Sequence, residues 1–130
     1  MKMHYAVGLA LLGALLLGAV VVKGLHAEPK PPVYLIAEID VTDLEGYKSQ
    51  YLPLAQASLK QQGGRIVAAG EGQGIRTFES TPPKSRVVIA AWDSLEQIEG
   101  WLNSAKYKED RKIGDKYATF RLFAIGGAAQ

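Results

Sequence analysis

Arg86-Val87-Val88-Ile89-Ala90-Ala91-Trp92 decides how this chain folds. After the arginine every side chain is apolar, with no polar residue at alternate positions. A strand with one wet face alternates; one that does not must be covered on both faces. Asp93 and Glu96 follow at the spacing of a capping box, and Leu95, Ile98, Trp101, Leu102 and Ala105 then recur at helical spacing. The segment reads as strand, cap, helix.

Working upstream, the same order is found. Residues 33–41 are rich in β-branched and aromatic side chains and have the length of a strand. Thr42 with Glu45 fits a second capping box, and Leu44, Tyr47, Tyr51, Leu54, Ala55 and Leu59 mark an apolar helix face. Pro53 falls inside that pattern and predicts a kink or break near 50–52, because proline lacks the donor the helix needs. Gly63-Gly64 ends the helix, and 65–69 is a second strand. Residues 71–85, with two more glycines and Pro82-Pro83, read as a hairpin excursion or a loop. Downstream, a short helix is expected over 104–113, stopped at Gly114, then a last strand over 117–125 and a small tail.

The order βαββαβ is that of a ferredoxin-like α+β sandwich, with an antiparallel four-stranded sheet and both main helices on one face. The second face would stay wet, although residues 86–92 offer apolar side chains to both. A second copy of the chain is the simplest cover, so the expected partner is the chain itself, in a homodimer with the two sheets face to face.

Composition narrows the function. Of 130 residues none is Cys, and the two His, His4 and His26, fall among the first 27. Residues 28–130 therefore offer no thiolate or imidazole for zinc or haem, and no Ser-His or Cys-His nucleophile pair. Acidic residues are scattered singly, without the run of oxygens of a calcium cage. Neither a metal nor a cofactor is expected. Setting aside Lys2 and Lys23, the 15 basic residues fall to 13, equal to the 13 acidic ones. A neutral domain is a poor match for nucleic acid, and the paired aromatics of an RNA-recognition sheet are missing. The Gly70-Glu71-Gly72-Gln73-Gly74 run is not a phosphate loop, since no Lys-Ser/Thr pair follows.

Residues 1–27 form a separate piece: Lys2 and His4, then an uncharged apolar stretch over 6–22, then Lys23-Gly24-Leu25-His26-Ala27. This is the pattern of a signal peptide, cleaved after Ala27, or of an uncleaved membrane anchor, its apolar core lying between the two usual lengths. Either way the domain is expected to be exported, periplasmic or secreted, touching the membrane only through residues 6–22 if these are retained. A proline-rich spacer, 28–32, leads to a domain over 33–127.

Candidate chemistry is sparse. Ser104, Tyr107 and Arg111 stand at i, i+3, i+7, so a helix sets a hydroxyl, a phenol and a guanidinium on one face, a set suited to a carboxylate or an enolate. The same residues have a structural reading: Ser104 as a cap, Tyr107 on the core, Arg111 solvated or paired with Asp115. Asp40, at a strand end, is a candidate base or a polar strand terminus. Tyr47 and Tyr51, one turn apart, line a cavity or belong to the core. Arg65 and Arg86 flank strands and read as edge charges that discourage aggregation.

Val41-Thr42-Asp43-Leu44-Glu45-Gly46-Tyr47, Tyr51, Gly63-Gly64-Arg65, Arg86-Val87-Val88-Ile89 and Ser104-Ala105-Lys106-Tyr107 with Arg111 together resemble the DUF1330 family. The resemblance implies a ferredoxin-like subunit that dimerises as a dimeric α/β barrel, in a superfamily that includes cofactor-free monooxygenases and small isomerases. Leu102 departs from it, standing where an aromatic is frequent. The function so implied is binding of a small organic, anionic molecule in the barrel cavity, with cofactor-free oxygenase or isomerase chemistry. The alternative is a non-catalytic envelope protein that binds or interacts, since no acid/base pair stands out. The ligand-binding candidates are Asp40, Tyr47, Ser104, Tyr107 and Arg111.

Overall fold

The structure, a computed structural model, describes residues 30–128. The expected signal or anchor over 1–27 lies outside them. β1 (Val33–Val41) leads into a helical segment of three parts, Leu44–Gly46, a π-type turn Tyr47–Tyr51, and Leu52–Gln61, together named α1. β2 (Arg65–Glu71) is followed by a 3₁₀ turn, Gly72–Gly74, and an irregular stretch up to β3 (Arg86–Trp92). Then come α2 (Leu95–Leu102), α3 (Ala105–Gly114) and β4 (Ala118–Gly126). The strands lie in the order β2-β3-β1-β4 with every neighbouring pair antiparallel, which is the ferredoxin-like α+β sandwich.

Pro53 acts where expected. The Leu52 amide donates to the Tyr47 carbonyl, five residues back, so the helix widens by one residue just ahead of the proline. Gly63, at φ 101°, takes the left-handed conformation that ends α1; its amide donates to Lys60 and that of Gly64 to Leu59, closing the last turn. The caps sit one residue later than the sequence pattern placed them. Asp43, not Thr42, accepts from the Gly46 amide at 3.0 Å, while the Thr42 hydroxyl donates to the Tyr117 carbonyl at 3.0 Å and pins the start of α1 to the chain ahead of β4. Likewise Ser94 accepts from the Gln97 amide at 3.2 Å, and Gln97 Oε1 accepts from the Asp93 amide at 3.1 Å. In each case the residue next to the expected one supplies the capping oxygen, to the amide three positions on.

Alternation sorts the sheet. Val33, Leu35, Ala37 and Ile39 of β1, Val88, Ala90 and Trp92 of β3 and Phe120 and Leu122 of β4 face the helices. Beneath the helices the core forms two clusters. One joins Leu35, Ala90 and Trp92 to Leu59, Ile98, Trp101 and Tyr107; the other joins Ile39 and Ala118 to Tyr47 and Tyr51. On the opposite face Phe123, Ile36, Ile89 and Ala68 stand in one cross-strand row. Ile89 there faces away from Val88 and Ala90, so β3 does present apolar side chains to both sides, although its Trp92 goes to the helices, and Phe123 and Ile125 of β4 are exposed on the same open face. A register shift between Ile66 and Ala68 leaves Val67 as an extra residue in β2. Among the described residues no helix is long and apolar enough to cross a membrane.

Candidate functional site

β3 is an interior strand, and that changes the role of Arg86. The residue begins β3, paired with Ile39 of β1 on one side and Glu71 of β2 on the other. Being two positions from Val88, it points toward the helices and is only 9% exposed. The expectation of an edge charge is thus corrected: long-range pairing puts β1 and β2 on its two sides, and both edges of the sheet lie elsewhere.

Between α1 and the sheet, along the seam of the two core clusters, lies a cavity of about 70 Å³. Arg86, Val88 and Ala90 form its floor at every second position of β3, so it runs about 13 Å along the strand. Tyr47, Tyr51, Leu52, Ala55 and Leu59 of α1 roof it, and Trp101 and Tyr107 close one side. Gln56 and Ile66, both exposed, stand at its mouth. There it meets a shallower groove of about 320 Å³ bordered by Lys60, Gly64 and Arg65. At roughly 30 Å³ per water in the liquid, the inner slot admits a slender group and the groove a larger one.

Charge in the slot is one-sided. Among the described residues lining it, Arg86 alone carries a charge. Burial pushes the Tyr47 phenol up, with the Arg86 cation pulling the other way. Burial also raises Tyr51 well above the usual phenol range, reinforced by Tyr107 and opposed by Arg111. Both phenols are therefore neutral at neutral pH; they offer hydrogen bonds but do not serve as bases. Outside the slot, Glu71 Oε1 accepts from Lys48 Nζ at 3.0 Å, and this hydrogen bond holds the Glu71 carboxyl below the ordinary carboxylate range.

The residues singled out from the sequence separate. Tyr47 and Tyr107 line the slot. Ser104 caps α3, accepting from the Tyr107 amide at 3.2 Å and donating to the Trp101 carbonyl at 2.6 Å. Arg111 is outside the lining: its Nε donates to Asp115 at 2.8 Å, its Nη1 to the Tyr107 hydroxyl at 3.0 Å, and its guanidinium lies 3.9 Å over the Phe120 ring. It steadies the back of Tyr107. Asp40, between the inward-facing Ile39 and Val41, points to the other face of the sheet, 4.0 Å from Lys84. Tyr51, read from the sequence as cavity or core, is both. Arg86 and Gln56 were not singled out as ligand contacts, since a strand-opening arginine and a helix-surface glutamine carry no local signal of a cavity. Among the described residues no group of three or more His, Cys, Asp or Glu is placed to hold a metal.

Comparison with known proteins bears on the fold. A family model described as "Domain of unknown function (DUF1330)" matches residues 32–128. A protein of unknown function from Rhodopseudomonas palustris is similar at TM-score 0.62 and 15% identity, over 78% of this chain and 85% of that one. SnoaB, a cofactor-independent oxygenase from Streptomyces nogalater, is similar at TM-score 0.55 and 17% identity, over 77% and 95%. An ethyl tert-butyl ether (EthD) family protein from Bacillus halodurans is similar at TM-score 0.53 and 20% identity, over 76% and 99%. No curated protein matches the chain.

Proposed function

The chain belongs to the DUF1330 family, and from that premise we propose that its domain binds a small organic molecule in the slot under α1. The carrying observation is the slot itself: an apolar cavity at the seam of two core clusters, walled by the phenols of Tyr47, Tyr51 and Tyr107 and open at Gln56 to a groove. Well-packed cores leave few voids larger than a water, and a few polar groups in an apolar recess are the usual make-up of a small-molecule site.

The chemistry proposed is cofactor-free. The slot wall holds no carboxylate and the phenols of Tyr47 and Tyr51 stay protonated, so an acidic substrate must supply its own reactive anion while the protein orients it and excludes water. The likeness to SnoaB, itself a cofactor-independent oxygenase, favours oxygenation over isomerisation. The absence of an acid/base pair in the wall equally favours the second reading, a non-catalytic binding protein. The domain is further proposed to be exported by residues 1–27 and to pair with a second copy over the open sheet face, as a dimeric α/β barrel.

A thermal-shift screen of the full chain against small organic acids and lactones tests the binding. Ala55→Trp, which fills the slot, should abolish any hit; a hit that survives it places the ligand elsewhere. Oxygen uptake with that hit, without added flavin or metal, separates the oxygenase from the binder.

A further inference from the structure

The arrangement at the Arg86 end of the slot is incomplete. Nη1 of Arg86 lies 3.7 Å from Glu71 Oε2, beyond hydrogen-bond reach, and the other Glu71 oxygen is taken by Lys48 at 3.0 Å. Nε of Arg86 is buried and has no acceptor. A guanidinium out of water is costly unless its donors are met, and an unmet buried donor carries its full desolvation penalty. None of the other described residues lining the slot is charged, so nothing in the wall neutralises the cation, and the Tyr47 hydroxyl beside it is a neutral partner only. The Nε–H and a neighbouring Nη–H form the two-pronged edge that fits a carboxylate side-on. The neutral Tyr47 phenol, lining the same slot, adds a further donor. From there to Gln56 the wall is apolar, through Val88 and Ala90.

Resting on the reading of the slot as a binding site, we infer that Arg86 seats the anionic end of the ligand, a slender monoanion of carboxylate or enolate type. Its apolar body lies along Val88 and Ala90 toward the mouth. A dianion is disfavoured, because one cation faces it and the second charge would sit unpaired among apolar groups. A neutral body of the same shape leaves Nε unmet. Glu71, partly exposed and already held by Lys48, is the internal anion with which the ligand competes for Arg86.

Hexanoate and hexan-1-ol, matched in shape and differing in charge, are the probes, titrated calorimetrically into the full chain at neutral pH. Hexanoate should bind more tightly by about tenfold or more, the range for hydrogen bonds to a charged group. Arg86→Gln should remove that preference and leave hexan-1-ol within about twofold, Arg86→Lys should restore it in part, and Glu71→Gln should strengthen hexanoate binding. If Arg86→Gln does not fold, the preference of the native chain and its rise in Glu71→Gln carry the test. Equal binding of acid and alcohol, with neither changed by the Arg86 or Glu71 variants, overturns the anion seat and leaves the slot standing. No binding of either probe to the native chain or to Glu71→Gln overturns the slot as a binding site, and the seat with it.

Discussion

The indole Nε1 of Trp101 donates to Ser58 Oγ at 3.0 Å, a buried hydrogen bond that ties α2 to α1 across 43 positions of sequence. Ser58 hands the bond on to the Ala55 carbonyl at 3.3 Å, so a polar pair crosses the apolar layer with its own donors met. Trp101 also stacks against Trp92 and Tyr107, with ring centroids 5.4 and 4.7 Å away. The side of the slot is thus set by one hydrogen bond and two ring contacts. Ser58→Ala leaves the indole N–H unmet and should cost about 1–3 kcal/mol in chemical denaturation, whereas Trp101→Phe with Ser58→Ala together should cost less than the two single changes summed.

Two glycines should respond oppositely to alanine. A Cβ on Gly64 would stand 2.7 Å from the Trp92 ring and 2.8 Å from Leu59, both buried, so Gly64→Ala should cost about 1–3 kcal/mol. A Cβ on Gly100, inside α2, would meet nothing within 4 Å, so Gly100→Ala should raise stability by up to about 1 kcal/mol through helix propensity. Urea midpoints of the two variants, compared with the native chain, decide this.

Alkaline stability should report on Tyr51. Burial raises its phenol above the ordinary 10.0, so the folded chain keeps a proton that the unfolded chain gives up. The contribution is whole below pH 10.0 and is lost as pH rises beyond it, with a slope of at most about 1.4 kcal/mol per pH unit for one such group. Tyr51→Phe should flatten the fall in denaturation midpoint between about pH 9 and pH 11; an unchanged slope would assign the loss to other groups.

The two faces of β3 should give different phenotypes. Val88 faces α1 and the slot, so Val88→Asp puts a carboxylate among the apolar side chains beneath α1 and should destabilise the domain strongly. Ile89 stands on the open face between Ile36 and Ala68, so Ile89→Asp should leave it folded and halve the mass seen by sedimentation. A folded Ile89→Asp variant of unchanged mass would mean that the two copies meet elsewhere or not at all.

From its sequence alone this chain yielded its strand–helix order, the limits of β1 and β3, the disturbance ahead of Pro53 and the stop at Gly63-Gly64. Each is written in local chemistry: side-chain period, a missing amide, a residue able to take positive φ. The caps fell one residue from their expected places because adjacent residues can each cap the amide three positions on, and which of them does so depends on how the preceding chain is pinned, as the Thr42 hydroxyl is engaged by Tyr117. Tertiary structure alone decided the site. Arg86 becomes a buried wall of the slot only because β1 and β2 pair on its two sides, the first 47 positions away in sequence through Ile39, and Asp40 leaves the site because it alternates with Ile39. Strand pairing joins residues that share no local signal, so which polar groups end under α1 is fixed by the packing of distant segments, and no stretch of the sequence records it.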